Sequence, residues 1–348
     1  MPSKDSVKSS PTIVDIARKL KLSAMTVSRA LSGSTDVNEK TRQRVLACAK
    51  SLDYRPNRWA RSLVTRQSMI VGVVIPDISH SFFAEITHGI EEIVEQAGYD
   101  ILLCHSRNDS EREISEIRML VGSRVDGLVV ASVQPEKSAE PFLDLRARNV
   151  PFVLVDRFFP GHAFPSVHAD DRSIGRMATN FLIELGHRRL AHIAGPAVSP
   201  GSLRRSGFLD SLRAAGIGRV HAPVVQGDFS AEGGRKAMSA LLAKCQRPTA
   251  VFAANDPMAI GAVHACRDAG LDVPKDISIV GVGNIEGDHH PTPFLTTVDW
   301  PRDELGRTAA RLLLEAFGGA KPERDTVRIF ESKLLVRKST APPAEESQ

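Results

Sequence analysis

The chain has 348 residues, enough for two or three domains, and its 42% hydrophobic content is ample for packed cores. No stretch approaches the roughly 20 apolar residues of a membrane span and no apolar segment follows the N-terminal charges, so no membrane association and no secretory leader are expected, and the protein is expected to be cytoplasmic. Charge is unevenly divided: residues 1–66 carry 14 basic and five acidic residues, net +9, and the rest 31 basic and 36 acidic, net −5, so an overall +4 hides a basic head of the kind that binds phosphates.

Residues 1–10 and 339–348 are polar with scattered Pro and Ser, the composition of disordered tails. Thr12, with Asp15 three residues on, has capping-box spacing, and Ile13, Ile16, Ala17 and Leu20 share one face, which predicts a helix. Ser23 starts a second helix over 24–31, with Val27 and Leu31 turned inward. Two short helices this close cross steeply, and small Ala17 permits the approach, which is helix-turn-helix geometry. Asn38 caps a third helix in which Val45, Ala49 and Leu52 close a small core. A generic three-helix cap is the bland alternative, and the charge of the segment counts against it. Pro56 then ends this unit and Asn57 starts a helix of barely two turns, too short to stand alone in water, so it should form only against something else.

Beyond Arg66, strand-like apolar runs at 69–75, 99–104, 127–131, 152–156, 190–194, 249–253 and 277–282 alternate with helical stretches such as 82–97, 173–185 and 302–317. This is the βαβ rhythm of a parallel sheet covered on both faces. One series closes at Asp156 and another begins near Asp170, so the sheet is expected twice.

Catalytic signatures are weak. Gly281-Val282-Gly283-Asn284-Ile285-Glu286-Gly287 nearly reproduces a dinucleotide fingerprint, but its third glycine is one residue late and Pro291 to Pro293 follow in place of a helix. His289-His290 has no third ligand at metal spacing. No P-loop or nucleophile elbow occurs. The expectation is no catalytic residue, no cofactor and no metal. Cys48, Cys104, Cys245 and Cys266 are scattered and read as reduced thiols.

Several ordered motifs do converge. Asp15-Ile16-Ala17, Thr26-Val27-Ser28-Arg29-Ala30-Leu31, Thr41-Arg42 with Val45, and Asp53-Tyr54 followed by Pro56-Asn57 closely resemble the headpiece of the LacI/GalR family of bacterial transcription repressors. The likeness continues through 71–77, 126–128, Gly186-His187-Arg188, Asn255-Asp256, 276–281 and 295–298, spanning Thr12 to about Lys338. It implies a multidomain chain: an all-α helix-turn-helix headpiece at 11–56, a hinge helix at 57–66, and a two-lobed α/β body at 67–338 with Rossmann-like parallel sheets, of the periplasmic-binding-protein-like type. The first lobe would comprise about 67–168 and 300–324, the second about 169–299 and 325–338.

By the same resemblance, Ala24, Met25 and Arg29 would lie in the major groove of a double-stranded operator. Arg29 offers a fork to a guanine edge, and Ala24 and Met25 only apolar contact. Thr26 and Ser28 would hold the backbone, Thr12 and Asn57 complete the contact set, and Leu63 would wedge into the minor groove beside its copy in a homodimer. Either a dimer or a tetramer would read a near-palindromic site. A small-molecule effector, a sugar or sugar derivative, would sit in the cleft at Phe82, Phe83, Asp156, Arg204, Phe229 and Asn255, aromatic faces on its ring and polar groups on its hydroxyls. Gly283 stands where many members carry an acid. With Arg204 retained, that loss shifts the balance toward tolerance of an acidic or phosphorylated sugar, while Asp156 still favours hydroxyls and keeps neutral sugars open. The implied function is an allosteric repressor of carbohydrate-utilisation genes; a ligand-independent DNA binder and an enzyme on the same α/β fold are the alternatives.

Overall fold

A computed structural model describes residues 11–31, 36–54, 67–243, 247–285, 293–318 and 326–344. Asn57, Leu63, the rest of the expected hinge, Cys245, the segment Glu286 to Thr292 and the tail at 1–10 lie outside the described residues. The chain divides into two compact units after Ser68.

In the first unit, α1 (Ile13–Leu20), α2 (Ala24–Leu31) and α3 (Glu39–Ser51) enclose Ile16, Val27 and Val45, all fully buried. Each helix start is bonded as its sequence requires. The Thr12 backbone N–H and hydroxyl both donate to the Asp15 carboxylate (2.9 and 2.7 Å), which holds that carboxyl below its ordinary pKa. Ser23 Oγ accepts from Thr26 N–H, and Asn38 Oδ1 from Thr41 N–H. Lys21 takes a left-handed conformation (φ 55°) to turn α1 into α2. Leu31 is only half-buried, and Ala30 fills the core position beside Val27.

The second unit holds two six-stranded sheets. The first runs β11 (Val327–Phe330), β5 (Ser166–Ala169), β4 (Phe152–Val155), β3 (Gly127–Val130), β1 (Ile70–Ile75), β2 (Asp100–His105), all parallel. The second runs β12 (Lys333–Leu335), β10 (Thr296–Asp299), β9 (Ser278–Val282), β8 (Ala250–Ala253), β6 (Leu190–Ala194), β7 (Val224–Gln226), with only β12 antiparallel. Strands β3, β4, β6, β8 and β9 are buried along their whole length, as expected of parallel strands with helices on both faces.

The helices over these sheets pack in close pairs. In the first lobe α4 (Ser81–Gln96) meets α11 (Arg302–Phe317) at Gly89 and Gly306. In the second, α7 (Asp171–Glu184) meets α8 (Ser199–Ala214) at Gly175 and Gly207, and α9 (Ala231–Leu242) meets α10 (Asp256–Asp268) at Gly234 and Gly261. At all six positions a Cβ would collide with a carbonyl oxygen of the partner helix. Two further helices, α5 (Ser110–Gly122) and α6 (Glu140–Ala147), complete the first lobe.

Two sequence expectations need correction. The resemblance implies a return to the second lobe at 324/325, yet Val327–Phe330 pairs in parallel with β5 at the edge of the first sheet, so the chain crosses only between Phe330 and Lys333. The tail expected from 339 onward begins later. Ser339 is fully buried, its hydroxyl donating to Ile279 O (2.6 Å) and accepting from Thr296 N–H, and Ala341 bonds both Ser278 and His187. Backbone and hydroxyl bonds dock this segment, and hydrophobic patterning carries no trace of them.

Candidate functional site

Both sheets end at one cavity of about 280 Å³ between the lobes. Pro76 follows β1, Asp156 follows β4, and Asp228, Asn255, Gly283 and Trp300 follow β7, β8, β9 and β10, so the lining lies outside the carboxyl ends of the strands, where open α/β folds bind ligands. All seven residues expected at the effector site, Phe82, Phe83, Asp156, Arg204, Phe229, Asn255 and Gly283, line this space. Phe82 packs edge-on against Phe83 (5.1 Å) and Trp300 (5.8 Å), making an apolar wall.

The crossing of α7 and α8 sets Arg204 against Asp171. Arg204, 5% exposed, gives Nε and Nη2 to Asp171 Oδ1 (2.8 and 2.7 Å) and Nη1 to Ala254 O (2.7 Å), while its guanidinium faces Trp300. Burial pushes the Asp171 carboxyl above its ordinary pKa, with Arg204 pulling the other way. The charge of Arg204 is thus already matched inside the second lobe. Asn255 is similarly engaged: Oδ1 caps α10 by accepting from Met258 N–H (3.0 Å), and Nδ2 donates to Phe229 O (2.8 Å). Both its helix-capping role and its cavity position are real.

The first-lobe side differs. Burial pushes Asp156 up to about 6, and its backbone adopts a left-handed conformation (φ 64°), a strained geometry that Asp tolerates better than most residues. Arg157, absent from the sequence-based set, lies beside it. Its Nε is 3.6 Å from Asp156 Oδ2, Nη1 donates to Ser132 O (3.0 Å), and its guanidinium sits between Phe83 and Phe229, 5.7 and 5.9 Å from their centroids. Burial lowers its pKa, with Asp156 and buried Glu113 opposing that shift. Arg157 Nε, Trp300 Nε1 and His80 Nδ1 are buried with no hydrogen-bond partner, and all three residues line the cavity. Sequence reasoning passed over Arg157, Trp300 and His80; their places just past strand ends and before α4 were the available signal.

Gly283 adopts φ 123°, a region that L side chains rarely enter, and its carbonyl accepts from Arg302 Nη1 (2.6 Å). The missing acid is therefore tied to a backbone shape that disfavours any side chain. The neighbouring amide of Asn284 does not supply a free acceptor in its place, since its Oδ1 accepts from Arg337 (2.6 Å).

In the first unit, Ala24, Met25 (65% exposed), Ser28 and Arg29 lie on the exposed face of α2, opposite buried Val27 and Ala30. Thr26 is half-buried, its hydroxyl 2.8 Å from Ser23 Oγ, so it and Thr12 serve helix starts. Arg29 Nη1 is 4.0 Å from Asp36 Oδ2. Among the described residues no helix is long and apolar enough to cross a membrane, and no group of three or more His, Cys, Asp or Glu is placed to hold a metal.

Comparison with known proteins gives two family matches: bacterial regulatory proteins of the lacI family over residues 12–57, and the periplasmic binding protein-like domain over 179–340. The chain is 36% identical over 330 residues to the HTH-type transcriptional repressor CytR of Escherichia coli strain K12, covering 94% of this chain and 96% of that protein. It resembles the lac repressor dimer bound to operator and the anti-inducer ONPF (TM-score 0.84, 29% identity, 96% and 100% of the two chains covered). A complex of the regulator CelR with cellobiose matches with TM-score 0.69 at 32% identity, over 94% and 99% of the chains. With a helix-turn-helix unit, two parallel-sheet lobes around one cleft and relatives of this identity along nearly its full length, the chain belongs to the LacI family of DNA-binding transcriptional repressors.

Proposed function

We propose that the protein acts in the cytoplasm as a dimer or tetramer on a near-palindromic operator, represses carbohydrate-utilisation genes, and is controlled by a neutral polyhydroxylated effector, a sugar or sugar derivative, in the inter-lobe cleft. The observation that carries this reading is one aromatic-walled cavity at the strand ends, around which Trp300 Nε1 and His80 Nδ1 are buried with no hydrogen-bond partner and Arg157 Nε has only its 3.6 Å approach to Asp156. Buried polar atoms normally have partners, and ligand oxygens would satisfy these while a ring face packs on Phe82, Phe83 or Phe229. The complex of CelR with cellobiose supports the ligand class. Exposed Ala24, Met25, Ser28 and Arg29 are the surface proposed to meet the operator.

Cleft electrostatics turn the expected balance away from acidic sugars. The lining carries Asp77, Asp156 and Asp228 against Arg157 and Arg204, burial lowers the pKa of His80 and so favours its neutral form, and Asp171 matches Arg204 from behind. An anion would enter a cleft with no cation to spare. A thermal-shift screen pairing neutral sugars with their phosphorylated and uronic-acid forms, followed by operator titrations, tests the proposal. Neutral hits that alter operator affinity and lose their shift in Arg157→Ala are expected, and hits confined to the anionic forms would overturn the ligand class.

A further inference from the structure

Among the described residues, two hydrogen bonds cross between the lobes away from the strands that join them covalently. Phe158 N–H, just past β4, donates to Ser199 Oγ at the start of α8 (2.9 Å), and Glu136 N–H, in the loop after β3, donates to Ala197 O after β6 (3.1 Å). The covalent crossovers leave from β5, β10 and β11, which sit toward one end of each sheet order. In the second sheet β6 lies three strands away from β10, so the non-covalent bonds tie the lobes at a separate place.

Both partners of the Phe158 bond are held firmly. The Phe158 ring stacks on His168 (4.0 Å, 18° between planes), Arg157 before it is anchored to Ser132 O, and Phe159 after it is buried in the first-lobe core. Ser199 is 1% exposed, and Gly201 packs so closely on Pro196 that a Cβ there would strike its carbonyl oxygen. A rigid donor meets a rigid acceptor, so rotation of one lobe against the other must break the bond. At the same seam Glu136 Oε1 is buried without a partner. Burying a carboxylate oxygen this way costs free energy, so the seam holds two bonds in favour of this lobe arrangement and one group against it.

We propose that Phe158–Ser199 and Glu136–Ala197 form a clasp that sets the angle between the lobes, with Glu136 as its counterweight, through bonds that use no side chain proposed to touch an effector. The effector reading concerns the neighbouring Asp156 and Arg157, but the clasp stands without it and is read without any ligand.

Hydrogen exchange on the full-length protein tests this directly, because both bonds use backbone amides. Ser199→Ala should speed exchange at the Phe158 and Glu136 amides together, by tenfold or more, while amides in β6 and β8 keep their parental rates. Ser206→Ala, whose hydroxyl bonds only within α8, should change neither. Glu136→Gln should slow exchange at Phe158, since an amide is less costly to bury than a charge. A parental rate at Phe158 in Ser199→Ala, a change at Phe158 without one at Glu136, or acceleration spread equally over β6 and β8 would each overturn the clasp; unchanged or faster exchange in Glu136→Gln would remove the counterweight.

Discussion

The reading face of α2 and the inter-lobe cleft are both surfaces proposed for ligands, but they relate to folding in opposite ways. On α2 the proposed readers are exposed while the fold rests on Val27 and Ala30. In the cleft, Arg204 and Asn255 are buried and already bonded to the protein, and Asp156 is buried at a backbone angle few residues accept. A substitution on α2 can therefore change binding alone, whereas one in the cleft alters stability as well, and the two effects must be separated before a contact is inferred.

Arg204→Ala is the most severe way to break this comparison. It leaves Asp171, 2% exposed, without its counter-charge, and removing one partner of a buried pair costs about 3–5 kcal/mol. Melting of the body by calorimetry should fall accordingly, and adding Asp171→Asn should recover part of the loss. A variant as stable as the parent would mean that Arg204 serves a ligand and not the fold. Loss of effector response in Arg204→Ala is thus ambiguous by itself, and Arg157→Ala, which takes the counter-charge from buried Asp156, needs the same stability control before a contact is inferred.

Asp156 sharpens the comparison through pH. Its folded pKa, about 6, lies above the ordinary 3.8, so the folded state binds the extra proton between those values. Stability should then fall as pH rises from about 4 to 6 and stay lowered above that, a penalty on the order of 3 kcal/mol. Asp156→Asn should remove this slope: near-equal stability at pH 4 and a variant more stable than the parent at pH 7. Parallel pH profiles would show that Arg157 compensates the buried carboxylate fully.

Gly283 separates backbone from charge. At φ 123° any side chain is strained, although a Cβ has ordinary room, its nearest contact being Ile285 Cγ1 at 3.8 Å. Gly283→Ala and Gly283→Asp should each cost about 1–3 kcal/mol in denaturant melts. An aspartate markedly worse than the alanine would show repulsion from the acid-rich lining, and no loss in either would detach the missing acid from the backbone shape.

How far the sequence could disclose all this depended on what holds each part together. Strands with long apolar runs, such as β1 and β6, were legible because burial on both faces demands them. Strand β11 was not, because three of its four residues are exposed and only pairing with β5 makes it a strand. Positions around the cleft followed from family resemblance and from the rule of strand ends. The Arg204–Asp171 bond, by contrast, joins residues 33 apart through the close crossing at Gly175 and Gly207, and the docking of Ser339 onto Ile279 rests on hydroxyl and backbone bonds. Neither leaves a periodic or compositional mark, so residue types alone do not reveal that Arg204 is already paired with Asp171.

The smallest stability effect belongs to α2, where it tests the other half of the comparison. Arg29 has a side chain 53% exposed, and its 4.0 Å approach to Asp36 is at the limit of an ion pair. Polar contacts at such exposed positions contribute little, so Arg29→Ala should shift folding stability by about 1 kcal/mol or less. Its guanidinium is also the one long donor among the proposed readers, since Ala24 and Met25 can make only apolar contact. Operator titrations with each base pair varied in turn should therefore show discrimination of about 1–3 kcal/mol lost at one position per half-site. Weakening spread evenly over all variants would assign Arg29 to a phosphate, which positions the headpiece but reads no base. A stability loss as large as that of Arg204→Ala would erase the contrast itself, because reading and folding would then be as entangled on α2 as they are in the cleft.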